Sequence, residues 1–217
     1  MYTNKSIQIS CDGGAATGKS TGAKLISKKY KLKFLSSGLL YRYASFLIIK
    51  YKPKNQLLFL RKKFKNLNYN KLQRINLHTL IISEHSSLIA KNNKIREILK
   101  KFQIEFAKKN KNCCIEGRDI STKILPKSDL KFFFKCNLTI AAKRRFNEIK
   151  KNEPKIKLKN VKKALRIRNN LDTKRKHSPL LKHRNSIEID TGKLSKQAML
   201  AKMSKYVEKL LKKKYGK

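Results

Sequence analysis

The chain has 217 residues, with 56 Lys and Arg against 13 Asp and Glu, for a formal net charge of +43. That length suits one domain with at most a mobile sub-domain, and 40% hydrophobic residues supply one substantial core. The charge excludes an acidic solvating protein and favours an anionic partner, while apolar runs such as Phe132-Phe133-Phe134 exclude disorder throughout. Cys11, Cys113, Cys114 and Cys136 show neither CxxC spacing nor a disulfide framework, so they read as buried, reduced thiols of a cytoplasmic protein. No apolar stretch reaches the ~18 residues of a membrane span. Met1 to Ser10 is polar and alternating, unlike a secretory signal.

Ser6 to Cys11 predicts a short strand, with Ile7 and Ile9 alternating with polar residues. A glycine-rich loop follows from Asp12 to Gly18, and Lys19 to Tyr30 predicts a helix. Leu32 to Leu35 is a second strand, followed by Ser36-Ser37-Gly38. Strand, loop, helix, strand is the βαβ signature of a parallel sheet, which places the chain in the α/β class. The pattern breaks at Lys52-Pro53-Lys54-Asn55. Leu57 to Lys65 predicts a helix, Leu77 to Ser83 a strand, and Ile95 to Lys109 a helix with apolar residues at helical spacing. Asn112 to Ile115 is short and apolar and runs into Glu116-Gly117-Arg118-Asp119. Leu130 to Cys136 predicts a fully buried strand, and Thr139 to Lys150 a helix capped by Asn137 or Thr139. Pro154 interrupts a basic stretch that runs to Pro179. Ser186 to Asp190 closes the strands and Leu194 to Lys213 the helices.

The residues Gly13-Gly14-Ala15-Ala16-Thr17-Gly18-Lys19-Ser20 match G-x-x-x-x-G-K-[ST] between a predicted strand and a predicted helix. Glycine lets the backbone fold into a ring of inward N–H groups, and the following helix adds its positive end. Lys19 reaches the β- and γ-phosphates of a nucleoside triphosphate, and the Ser20 hydroxyl can ligate Mg²⁺. Thr21 extends this donor-nucleotide set.

Phosphoryl transfer to an anionic acceptor needs a second cationic clamp, for which arginine forks are suited. Lysine is too abundant here to be diagnostic, so the arginines carry the information. Arg42 follows Ser37-Gly38-Leu39-Leu40-Tyr41, and Arg118 stands at the end of a strand beside Asp119. Arg144 and Arg145 lie on a helix, and Arg166, Arg168 and Arg175 surround Asp172, a rare acid in a basic stretch. Two plainer readings remain beside these. Arg118 and Asp119 could form a surface ion pair, and Asp172 could pair at i,i+3 with Arg175 or at i,i+4 with Arg168. The four histidines are scattered, without a second metal ligand at a motif spacing.

Taken together, the chain resembles the bacterial cytidylate kinases over nearly its whole length. The resemblance rests on Asp12-Gly13, on Ser37-Gly38-Leu39-Leu40-Tyr41-Arg42, on Gly117-Arg118-Asp119, on Arg168 to Pro179 and on Ile189-Asp190-Thr191. It implies a parallel five-stranded sheet with helices on both faces. It also implies a core of about 1–45, 106–147 and 181–217, a monophosphate-binding insert at about 46–105 and a lid at about 148–180. Ser37, Arg42, Arg118 and Arg175 would hold the acceptor phosphate, Ser87, Arg96 and Asp119 the cytosine, and Arg168 and Asp172 the ribose. Lys19, Arg118, Arg144 and Arg175 would form the catalytic cation set. The implied reaction is ATP- and Mg²⁺-dependent phosphorylation of CMP and dCMP by a cytoplasmic monomer.

The family usually carries Asp where Ser36 stands, Gly-Pro where Gly13-Gly14 stands, and Asp or Val before the cytosine-reading Ser, where His85-Ser86 stands. Ser86 is therefore nearly as good a match as Ser87. Two other readings compete: a kinase of the same loop class for another small acceptor such as shikimate, and a basic nucleic-acid-binding protein. The Arg96 and Asp119 pair disfavours shikimate, because a base edge needs both a donor and an acceptor. Lysines spread along the whole chain, rather than gathered in one stripe, disfavour the second.

Overall fold

The computed structural model describes residues 6–150 and 153–216. The chain forms two compact units: one joins the segment up to Leu35 to the segment from Asn110 onward, and the other is Ser36–Lys109.

The first unit is built on strands β1 (Gln8–Gly13), β2 (Lys33–Ser36), β3 (Cys113–Gly117), β4 (Leu130–Lys135) and β5 (Ile187–Asp190), in the order β2-β3-β1-β4-β5. β1 pairs in parallel with β3 and β4, and β4 with β5. The expected five-stranded parallel α/β fold is thus the observed one. Alternation along β1 and the residue before it sends Ile7, Ile9 and Cys11 into a core shared with Phe132, Phe134 and Ile189. Helix α1 (Lys19–Lys29) contributes Ala23 and Ile26 to that core, and α8 (Lys196–Tyr215) contributes Met199, Met203, Val207 and Leu211. The other face of β1 presents Ser10 and Asp12 to the segment after β3: Ser10 Oγ lies 2.9 Å from Ser128 Oγ, and Asp12 receives bonds from Ile120 and Ser121. Helices α6 (Leu138–Lys150) and α7 (Leu158–Lys174) complete the described helices of this unit.

β1 runs two residues past its expected end. Asp12 and Gly13 pair with Gly117 and with Phe133 and Phe134, so a residue that reads as loop because it is charged lies within the sheet. Asn137, rather than Thr139, accepts a bond from an N–H of the first turn of α6, that of Thr139. No helix was expected across the basic stretch before Pro179, yet α7 fills most of it, burying Val161 and Leu165 at i,i+4 beneath the lysines. Cys11, Cys113 and Cys114 are buried free thiols, but Cys136 is only half-buried.

The second unit is helical: α2 (Ser37–Tyr51), α3 (Gln56–Lys65), a short 3₁₀ turn at Tyr69–Arg74, α4 (Leu80–Ile89) and α5 (Asn93–Lys109). Leu77 to Ser83 is not a strand. Thr79 accepts the Ile82 N–H at 3.3 Å as an N-cap, and the buried set Ile82, Ser83, Ser86 and Ile89 has helical spacing. The apolar run at 80–82 imitates a strand only when read without its cap. α2 had no predicted counterpart. It starts at Ser36, whose Oγ accepts from the Leu39 N–H, so the serine that replaces the family's usual Asp supplies a helix cap. Among the described residues, no helix is long and apolar enough to cross a membrane.

Candidate active site

The loop between β1 and α1 is held open by its sequence. A Cβ on Gly13 would fall 2.4 Å from the Phe134 carbonyl oxygen, and Gly18 sits at φ 79 ahead of α1. The Thr17 hydroxyl donates to the Gly14 carbonyl at 3.1 Å. Thr191, just after β5, donates its hydroxyl to the Thr17 carbonyl at 2.8 Å. Arg144 on α6 in turn donates to the Thr191 carbonyl at 2.7 Å and to its Oγ1 at 3.0 Å. Arg144, expected among the catalytic cations, is thus engaged in a brace behind the loop. In the sequence Thr191 stands out only within Ile189-Asp190-Thr191, and the brace gives it a role.

Lys19 is buried, and its ammonium donates to the Gly14 carbonyl at 3.2 Å and lies 3.8 Å from the Glu116 carboxylate. Burial drives its pKa down to about 7; Arg118 and Arg168 push the same way, while Glu116 and Asp172 oppose them. The sequence motifs give Glu116 no role. The signal was present, since an acid closing the apolar run Cys113–Ile115 at the C-terminal end of a parallel strand stands where α/β sheets bind ligands. Asn169 was missed as well: its Oδ1 accepts the Ala15 N–H at 3.0 Å, tying α7 to the phosphate loop. Nothing in the local sequence announces that contact.

Arg118 and Asp119 are not paired with each other at the surface. Arg118 Nε donates to Asp172 Oδ2 at 2.8 Å, Arg175 lies 3.8 Å from Asp119 Oδ1, and Arg175 Nη1 is 3.5 Å from Asp172 Oδ1. The i,i+3 pair of Asp172 with Arg175 therefore exists, but it is one edge of a larger alternating cluster. Burial raises the Asp172 pKa, yet Arg118, Arg168 and Arg175 outweigh it and hold the carboxyl below its usual range. Asp12 behaves differently. Burial pushes its carboxyl up to about 6, although three bonds from Ile120 and Ser121 act against that rise.

In the Ser36–Lys109 unit, Ser37 is buried in the first turn of α2. Arg42 folds back along that helix, with Nη1 4.0 Å from where a Gly38 Cβ would lie. Arg96 on α5 is buried, stacks over the Tyr41 ring at 5.7 Å and donates to the Ala90 carbonyl at 3.3 Å. Ser86 and Ser87 both donate to the Ser83 carbonyl, at 2.8 and 3.2 Å, but Ser86 is buried and Ser87 is half-buried.

A five-stranded parallel sheet with a G-x-x-x-x-G-K-S loop between β1 and α1 defines a P-loop kinase architecture. The fold is shared with solved proteins at low identity. Shikimate kinase from Bacteroides thetaiotaomicron matches with TM-score 0.52 and 8% identity over 94% of this chain and 99% of that one. The protein TT1252 from Thermus thermophilus matches with TM-score 0.54 and 16% identity over 96% and 99%.

The family model described as cytidylate kinase matches residues 9–209. A cytidylate kinase of Bartonella tribocorum is 33% identical, covering 96% of this chain and 97% of its own. A cytidylate kinase of Fusobacterium nucleatum is likewise 33% identical, covering 94% and 98%. The chain belongs to the cytidylate kinase family.

Proposed function

We propose that this protein transfers the γ-phosphoryl group of ATP to CMP and dCMP, giving CDP and dCDP. The observation that carries the reading is the cluster around Lys19. A buried ammonium in the phosphate loop stands amid Arg118, Arg168, Asp172 and Glu116, with Arg118 and Asp119 at the end of the adjacent strand. Such a group of cations is matched to a polyanion, and a triphosphate brought to Lys19 would raise its lowered pKa again.

The acceptor oxygen of a nucleoside monophosphate is already anionic, so the reaction needs no strong general base. Positioning and charge neutralisation carry it. Gly13 to Thr21 cradle the donor phosphates, and Lys19 neutralises the transferring group. Ser37, Arg42, Arg118 and Arg175 hold the acceptor phosphate, Arg168 and Asp172 the ribose, and Ser87, Arg96 and Asp119 the cytosine. Arg144 acts on the transferring group through the brace that Thr191 forms with the loop. Ser20, on the first turn of α1, and the carboxylate of Glu116 are hard oxygen donors that fit Mg²⁺. Mg²⁺ held by these oxygens would supply positive charge to the donor phosphates. Residues 148–180 act as the lid that excludes water and suppresses ATP hydrolysis. The insert at 46–105 is the monophosphate-binding part. A cytoplasmic setting fits this reading, since the four cysteines are free thiols, and the protein is expected to act as a monomer.

The test is direct. The protein is incubated with ATP, Mg²⁺ and each nucleoside monophosphate in turn, and ADP formation is followed. CMP and dCMP should give the fastest turnover. ADP formation independent of the acceptor, or fastest with a purine monophosphate, would overturn the reading.

A further inference from the structure

Asp12 is fully buried, yet neither donor nor acceptor binding claims it. Its Oδ1 accepts the Ile120 N–H at 2.8 Å, and its Oδ2 accepts the Ser121 N–H at 2.7 Å and the Ser121 hydroxyl at 2.5 Å. These donors open the π-helical turn Ile120–Ile124, which follows Arg118 and Asp119 directly. The first N–H groups of a helical turn have no partner within it and are usually capped by the side chain of the residue at its head. Here that residue is Asp119, and its side chain makes no capping bond. Its carboxylate faces Arg175 instead, at 3.8 Å. The capping is done from the neighbouring strand by Asp12.

We propose that Asp12 is the positioning residue of the acceptor site: by capping the turn at 120–124 in place of Asp119, it fixes Arg118 and releases the Asp119 carboxylate to act on the substrate. The proposal rests on the assignment of Arg118 and Asp119 to the acceptor. An ionised carboxylate suits the task because it only accepts, and three donors converge on its two oxygens. An asparagine of the same shape would turn two N–H donors toward one side of that set. Asp12 adjoins Gly13 of the phosphate loop, so a merely structural role would be felt by ATP. A role through the turn would be felt by CMP.

Steady-state constants for both substrates separate the two in Asp12→Asn, Ser121→Ala and the control Ser10→Ala. Asp12→Asn should raise KM for CMP roughly ten-fold or more, the usual consequence of a lost charged hydrogen bond, with KM for ATP within about two-fold of the parent. Ser121→Ala, which removes one of the three donors, should shift the same constant in the same direction by less. Ser10→Ala, on the same buried face of β1, should leave both constants unchanged. Amide hydrogen exchange adds a readout that needs no turnover: Ile120 and Ser121 should exchange faster in Asp12→Asn. If that variant does not fold, Ser121→Ala carries the test alone. Equal rises for ATP and CMP, a rise for ATP only, an unchanged KM for CMP in Ser121→Ala or unchanged exchange at 120 and 121 would overturn the proposal. Failure of the parent protein to phosphorylate CMP would instead overturn the functional reading itself.

Discussion

The two units spend their sequence differently. In the sheet unit, charged side chains are buried or half-buried and bound to one another: Lys19 with Glu116, Arg118 with Asp172, Arg175 with Asp119 and Asp172. In the Ser36–Lys109 unit the candidate residues sit on three helices, where caps and backbone carbonyls hold them: Ser36 at the start of α2, Ser83 O beneath Ser87, Ala90 O beneath Arg96. Buried opposite charges are expensive to separate, because removing one partner strands the other. Helix-borne residues can be changed one at a time at modest cost. The first arrangement suits chemistry that must not drift, and the second suits recognition.

The largest expected effect is at Lys19. Lys19→Ala should abolish most turnover, at least ~2–4 kcal/mol of transition-state stabilisation, while the fold survives. Its effect on stability should depend on pH. The folded pKa near 7 lies below the ordinary 10.5. Between those values the unfolded chain binds more protons, so the stability of the parent rises with pH. Lys19→Ala removes that slope but strands Glu116, so its stability relative to the parent should be highest below pH 7 and fall toward pH 10.5. Denaturant melts at several pH values check this. Near-normal turnover in Lys19→Ala would break the contrast between the two units.

Next comes Asp119, which lies in the sheet unit but is assigned to base reading. Cytosine offers an N4 amino donor, whereas uracil presents a carbonyl there, which a carboxylate repels. The parent should favour CMP over UMP by roughly ten-fold or more, given ~1–3 kcal/mol for an unmatched buried polar group. Asp119→Ala should therefore lose more with CMP than with UMP, narrowing the ratio of their steady-state rates. Equal losses would move Asp119 to the charge cluster as a partner of Arg175.

A smaller effect separates Ser86 from Ser87 in the helical unit. Ser87→Ala should raise KM for CMP about five-fold, in line with the loss of one neutral hydrogen bond. Ser86→Ala should leave that constant near the parent value and cost stability instead, because Ser86 is the buried member of the pair. Steady-state constants and thermal melts of both variants check the assignment, and the reverse outcome would exchange the two residues.

Legibility followed the same division. The phosphate loop could be read because eight consecutive residues specify it and β1 and α1 flank it. β3 and β4 could be read because buried parallel strands are short apolar runs, and β5 because Ile187 and Ile189 alternate with acidic residues. α4 was misread because Leu80-Ile81-Ile82 is β-like and its helical character rests on the Thr79 cap and on buried serines. α7 was hidden by its lysines. Arg118 could be picked out as a candidate, but its pairing with Asp172 spans 54 positions, and no local pattern encodes it. Asp12 reads as loop because it is charged and precedes the glycines. Only its three donors explain why a carboxylate stands inside a sheet.

The smallest effects compare the units at two left-handed residues. Ala16, in the phosphate loop, has φ 56, and Lys52, after α2, has φ 41 with its N–H bonded to Ile48 O. For a residue with a Cβ this conformation costs roughly 1 kcal/mol relative to glycine. Glycine in turn loses more entropy on folding, by a few tenths to about 1 kcal/mol, so the net gain from either substitution is small. Ala16→Gly and Lys52→Gly should each raise Tm by about 2 °C or less, on a scale of ~2–4 °C per kcal/mol for a chain of this size. They should part company in function. Lys52 closes a helix, where glycine is the residue most often found, so Lys52→Gly should leave both Michaelis constants unchanged. Ala16 stands within the ring that takes the donor phosphates, and a freer backbone there must be ordered when ATP binds. Ala16→Gly should raise KM for ATP about two-fold and leave KM for CMP alone. If Lys52→Gly altered a substrate constant while Ala16→Gly altered none, the assignment of donor chemistry to the sheet unit would fail at its most local point.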